Sequence, residues 1–227
     1  VVTVGGEIVE QLVAVALAVT LGLAALWAAG LALWPPPDPY RVRPSGRQVL
    51  ARDGTLLRGF LSDDGMWRLR TPLDEMSRDL VAAVLHHEDR RFRRHPGVDP
   101  VAVARAAVQN LRAGRVVSGA STITMQLARL VEPRPRTVLA KALEAVRALQ
   151  YEWRYSKDEI LEMYLNLAPC GGNVEGVGAA SWTLFGKPPA ALSPAEACLL
   201  AVLPQSPNGH DPCRRPAAAC VARDRLL

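Results

Sequence analysis

Aromatic residues are scarce: 227 residues hold five Trp, four Tyr and three Phe. No run of Lys and Arg is interleaved with stacking rings, which argues against a single-strand nucleic-acid binder. Cysteine is equally thin. Cys170, Cys198, Cys213 and Cys220 form no Cys-x-x-Cys pair, which speaks against zinc. Cys213 and Cys220 are a candidate bridge if the domain lies outside the cytoplasm. Lys and Arg are missing from Val1 to Glu10, and all charge is missing from Gln11 to Trp34. What charge remains leans basic, at net +5. The expected partners are therefore anionic, and an anionic membrane surface or a phosphate-bearing lipid fits better than nucleic acid.

The uncharged run 11–34 is rich in Ala, Leu and Val and about long enough to cross a bilayer as a helix. Trp27 and Trp34 lie towards its far end, where interfacial rings sit. It is too long for a signal-peptide core. A buried core helix is the plainer alternative. Residues 1–10 then form a short tail, 35–47 a Pro-rich linker and 48–227 one domain. Arg41, Arg43 and Arg47 follow the span and none precede it, so the positive-inside rule read literally puts the domain in the cytoplasm.

Gln48–Arg52, Asp53-Gly54 and Thr55–Leu61 read as a hairpin with a tight turn, and Met66–Arg70 as a third strand. Beyond Pro72 the pattern is mainly α. Helices are expected over Ser77–Arg90, from Asp99-Pro100 to about Ala113, over Ser121–Val131 and over Thr137 to about Trp153. Capping boxes at Ser156–Glu159 and Ser193–Glu196 open two more. Pro169–Gly178 reads as a glycine-rich loop and Pro204–Pro212 as irregular. The last helix begins near Pro216 and reaches Leu227 without a C-cap, which predicts a truncated end.

Three constellations carry chemistry. In Glu88-Asp89-Arg90-Arg91-Phe92-Arg93-Arg94-His95-Pro96-Gly97 an acid pair follows an apolar helical run, and His95-Pro96-Gly97 stops the helix. Such a carboxylate among cations is a candidate general base facing an anionic substrate; a salt-bridged helix end is the bland alternative. Ser118–Arg129 leads small residues into a helix start with Ser121, Thr122 and Gln126. This suits a phosphate or sugar, or simple capping by Ser121. Arg136, Lys141 and Glu144 follow, the last two sharing a helix face. Leu139, Leu143 and Val146 are expected to point towards the core.

Together these stretches resemble the glycosyltransferase domain of class A penicillin-binding proteins, the family 51 peptidoglycan glycosyltransferases. Glu88, Asp89, Phe92, His95 and Gly97 meet the family's Glu-Asp-x-x-Phe-x-x-His-x-Gly pattern. Gly119–Gln126 is similar to its Gly-Gly-Ser-Thr-Ile-Thr-Gln-Gln motif, and Ala140–Glu144 to Arg-Lys-x-x-Glu. Ser156–Asn166 and Gly176-x-Gly178 through Lys187 follow in order. Ala120, Met125 and Ala179–Trp182 look most like the family's 1C type. Met125 lacks the amide that the family's Gln would offer a substrate, and Ala140 replaces an Arg. No Ser-x-x-Lys with a later Lys-Thr-Gly is present, so no transpeptidase half is expected.

The resemblance implies a lysozyme-like helical domain that polymerises lipid II into glycan strands. Glu88 and Glu144 would be catalytic. Asp89, Phe92, His95, Ser121, Thr122, Gln126, Arg129, Arg136 and Lys141 would bind substrate. It fixes no cofactor with certainty, and it leaves room for a divalent cation such as Mg2+ on the pyrophosphate, with Glu144 as candidate ligand. Implied partners are lipid II, the growing glycan strand, the membrane and other cell-wall synthesis proteins. The implied location is the bacterial inner membrane, single-pass, with the catalytic domain on the extracytoplasmic side. A start upstream of Val1 with basic residues would reconcile this with the charge rule. A lytic glycan-cleaving enzyme and a non-catalytic scaffold are the competing readings. The Arg129, Arg136 and Lys141 set argues against the first, since cleaving a neutral bond needs no pyrophosphate clamp.

Overall fold

The computed structural model describes residues 10, 13–15, 17–22, 29–30 and 33–227. The expected tail and span include 1–9, 11–12, 16, 23–28 and 31–32, which lie outside the described residues. Among the described residues no helix is long and apolar enough to cross a membrane. The chain divides into two units, Val1–Pro36 and Pro37–Leu227. Described residues of the first up to 33 are helical.

In the second unit Asp38 caps a single turn, α1 (Pro39–Val42), its carboxylate accepting from the Tyr40 N–H at 2.9 Å. Strands β1 (Gln48–Leu50) and β2 (Leu56–Gly59) pair antiparallel around Asp53-Gly54, as the turn residues require. The third strand, β3 (Trp67–Arg68), does not join this hairpin. It lies parallel to β5 (Val174–Glu175), which pairs antiparallel with β4 (Pro169–Gly171). The cause is charge: Arg68 is 1% exposed and bonds Asp64 and Glu175, both at 2.5 Å. A buried guanidinium needs such partners, and Glu175 offers one only on β5. The expected glycine-rich loop 169–178 is thus a small hairpin.

The rest is helical: α2 (Arg78–Glu88), α3 (Pro100–Ala113), α4 (Ile123–Val131), α5 (Val138–Arg154), α6 (Lys157–Leu167), α7 (Val177–Phe185), α8 (Pro194–Val202) and α9 (Pro216–Asp224). Both capping boxes form as read. Helix α7 is an addition to the sequence reading. Helix α6 is the centre of the core, with Ile160, Leu161 and the whole run Met163–Leu167 buried. Helix α2 packs on α8, and α4 lies against α5 and α6. The core joins Leu80 and Val84 of α2, Ile123 and Leu127 of α4, and Leu200 of α8.

Three expectations need correction. Helix α2 stops at Glu88, seven residues before His95; a short 3-10 turn, Phe92–Arg94, follows. The cap of α4 is Thr122, not Ser121: its hydroxyl accepts from the Met125 N–H at 3.1 Å. And α5 buries a polar face. Glu144, Arg147 and Gln150 are buried, whereas Leu139 is 71% exposed and Leu143 and Val146 are half-exposed. Arg147 meets Glu132 at 2.6 Å and the Gln150 side-chain oxygen at 2.9 Å, so matched charge replaces apolar packing there.

Candidate active site

Glu88 closes α2, and its neighbour fixes where it ends. The Asp89 carboxylate accepts from His95 Nε2 at 3.0 Å and from the Ile123 N–H at 3.1 Å. One buried acid therefore ties the end of α2 to the start of α4 and to the turn at 95–97. That turn presses on α5: Gly97 has φ +93°, and a Cβ there would sit 2.8 Å from the Ala148 carbonyl oxygen. Only glycine fits both the conformation and the space. The Thr122 hydroxyl donates to the Gly97 carbonyl at 2.5 Å, and Lys157 Nζ donates to that of His95 at 2.7 Å.

On this base stands a cleft of about 530 Å³, lined by Glu88, Ser121, Gln126, Arg129, Arg136 and Tyr164, and by Pro204, Gln205 and Pro207. Glu88 Oε2 accepts from Gln126 Nε2 at 2.7 Å. The Gln126 amide is oriented from behind, because the Tyr164 hydroxyl donates to its oxygen at 3.4 Å. Burial pushes the Tyr164 phenol well above its ordinary range, and Glu88 adds to the rise. A phenol held neutral donates, which leaves the amide N–H for Glu88. Glu88 Oε1 is buried and has no partner among the described residues. An unpaired buried carboxylate oxygen costs roughly 1–3 kcal/mol or more, which is the kind of cost a functional group retains.

Arg129 and Arg136 line the same cleft, and among the described residues no carboxylate lies within ion-pair distance of either. Lys141 reaches the cleft through Ser121, donating to its hydroxyl at 2.6 Å while pairing with Glu144 at 2.8 Å. The cleft thus holds one acceptor-only carboxylate and several cations with unused donors.

The remaining sequence candidates lie elsewhere. Phe92 is 1% exposed in the core, and Asp89, His95 and Thr122 are buried beneath the cleft with internal partners. They support the site instead of lining it. Met125 and Ala140, two of the departures from the motifs, are also buried. Cys213 and Cys220 are free thiols. Sequence reasoning missed Tyr164 as a site residue, although it stood in a quoted motif. It also missed Arg134, Gln205 and Pro207, which arrive from segments without motif signal. Glu144 is buried with its carboxylate on Lys141, and among the described residues there is no cluster of three or more His, Cys, Asp and Glu suited to a metal.

A transglycosylase family profile matches residues 53–227. Penicillin-binding protein 1C of Escherichia coli (strain K12) is 51% identical over 195 residues, covering 86% of this chain and 25% of that protein. Penicillin-binding protein 1A of Aquifex aeolicus is 38% identical, covering 86% and 26%. Penicillin-binding protein 1B of Haemophilus influenzae is 38% identical over 172 residues. The chain spans about a quarter of the length of these curated relatives. With the motifs in order, the cleft built from them and the profile covering most of its length, the chain belongs to the transglycosylase family.

Proposed function

We propose that the chain is a peptidoglycan glycosyltransferase that polymerises lipid II by inverting transfer, with release of undecaprenyl pyrophosphate. The observation that carries this reading is Glu88: one carboxylate oxygen held by Gln126, the other unpartnered, in a cleft shared with the cations Arg129 and Arg136. An acceptor sugar hydroxyl is a weak nucleophile at neutral pH and needs a positioned base. Glu88 takes the hydroxyl proton as the oxygen attacks the donor's anomeric carbon. The bond from that carbon to the pyrophosphate oxygen breaks, and the electron pair leaves with the pyrophosphate. Attack opposite the leaving group inverts the centre, so an α-linked donor yields a β-linkage.

Charge develops on the leaving group, and Arg129, Arg136 and Lys141 stabilise it without reorganising. Glu144 holds the Lys141 ammonium next to Ser121.

A membrane location fits the same reading, since the donor is a lipid. Helix α3 buries only Ala106 and exposes Val101, Val103, Val108 and Leu111 beside Arg112, an apolar and basic surface suited to an anionic bilayer. We propose a single-pass anchor before Pro35 and a catalytic unit on the extracytoplasmic side.

The test is glycan polymerisation from lipid II in detergent by the parent and by Glu88→Gln. The exchange is nearly isosteric and removes the base. A loss of about 10²–10⁴-fold in turnover with lipid II binding retained is expected. A variant within a few-fold of the parent would remove Glu88 from the mechanism. Cleavage of preformed glycan by the parent would favour a lytic enzyme, and binding without either reaction a scaffold.

A further inference from the structure

Three of the four histidines lie together, beside the cleft but outside its lining. His86 and His87 from the last turn of α2, and His210 from the segment after α8, line a cavity of about 320 Å³ with Arg90, Gln205 and Arg225. No Asp or Glu lines it. Among the described residues neither Arg90 nor Arg225 has a carboxylate within ion-pair distance.

Hydrogen bonds within the lining leave donors unused. Arg90 donates from Nε to the His86 carbonyl at 3.1 Å and from Nη2 towards His86 Nε2 at 2.8 Å. A guanidinium carries five N–H donors, so the others remain. His87 Nε2 meets the Gln205 side-chain oxygen at 3.2 Å, and His210 Nδ1 donates to the Val202 carbonyl at 3.1 Å. Two guanidiniums line one concavity without a carboxylate beside them among the described residues, and an entering anion relieves their mutual repulsion.

We propose that this cavity binds an oxyanion, a phosphate or carboxylate, at a site separate from the Arg129, Arg136 and Lys141 set. Gln205 is common to both walls, which puts the bound anion beside the cleft without making it part of the cleft. Anion binding in this cavity needs no turnover. Its failure would leave the proposed activity standing, and the reverse also holds.

The experiment is an NMR titration of the untagged chain with inorganic phosphate, against chloride at matched ionic strength. The imidazole C–H signals of His86, His87 and His210 are expected to move together and saturate. The signal of His95, buried at 3% exposure, is the internal reference and should stay still. Arg225→Gln should weaken phosphate by about tenfold or more, the loss of one charge-assisted contact. Arg90→Gln serves as a second variant should the first fold poorly. Shifts that are linear, that chloride reproduces, or that neither variant weakens would overturn the site. A glycan lipid bearing pyrophosphate is then added. Displacement of phosphate assigns the oxyanion to the substrate; independent binding assigns it to a free anion, and either result upholds the site.

Discussion

The carboxylates of Glu88 and Asp89 leave adjacent Cα atoms and end in different surroundings. Asp89 turns inward to His95 and the Ile123 N–H, whereas Glu88 meets Gln126 and keeps one oxygen unpaired. Burial and partners, not residue type, divide the tasks. The same logic decides Met125. It stands where the family motif has Gln, yet it is 3% exposed and packs inside. Restoring the amide there would bury a polar group without offering it to substrate. Met125→Gln is therefore expected to lower stability by about 1–3 kcal/mol and to leave turnover per folded molecule unchanged. Thermal unfolding and a lipid II assay on the same sample read the two effects separately. A rise in turnover would mean that the side chain at 125 reaches the cleft.

At the level of elements, the helix starts were the most legible feature. Ser156 and Ser193 cap α6 and α8 because a hydroxyl followed three residues later by Glu satisfies orphan N–H groups whatever the tertiary context. Glu196 in the second box is pushed down to about 2 by Lys187 and by Ser193. A carboxylate whose folded value is depressed adds stability that is present above its unfolded value and fades as pH falls towards the folded one. The stability gap between the parent and Glu196→Gln should thus be full at pH 6 and shrink steadily below pH 4.5, which denaturant midpoints across pH would show. Features set by distant partners were not legible. The polar buried face of α5 depends on Glu132 from outside the helix, and β3 finds β5 across more than a hundred residues. Leu139 and Leu143 looked like core from spacing alone, because periodicity cannot say which face a neighbour will cover with charge. The turn at Gly97 belongs to this scale too. Gly97→Ala places a Cβ against the Ala148 carbonyl at a φ that alanine resists. A loss of about 1–3 kcal/mol is expected by thermal unfolding, with activity falling further than the unfolded fraction explains, since the turn helps hold Glu88.

For the whole molecule, the net charge of +5 acts together with the exposed face of α3. Binding to vesicles containing anionic lipid should weaken as salt rises from about 0.05 M to 0.5 M, over which screening shortens the range of surface charge several-fold. Sedimentation with vesicles measures this; binding indifferent to salt would mean that apolar insertion outweighs charge. The cleft is also a property of the whole unit. Its base comes from α2 and two cations from α4 and the segment after it, but Gln205 and Pro207 of its lining come from the segment that follows α8. That separation sets a clock on biosynthesis. A polypeptide emerging N-terminus first carries Glu88 long before it carries Gln205 and Pro207. The nascent protein therefore lacks that part of the cleft until the segment after α8 has been made.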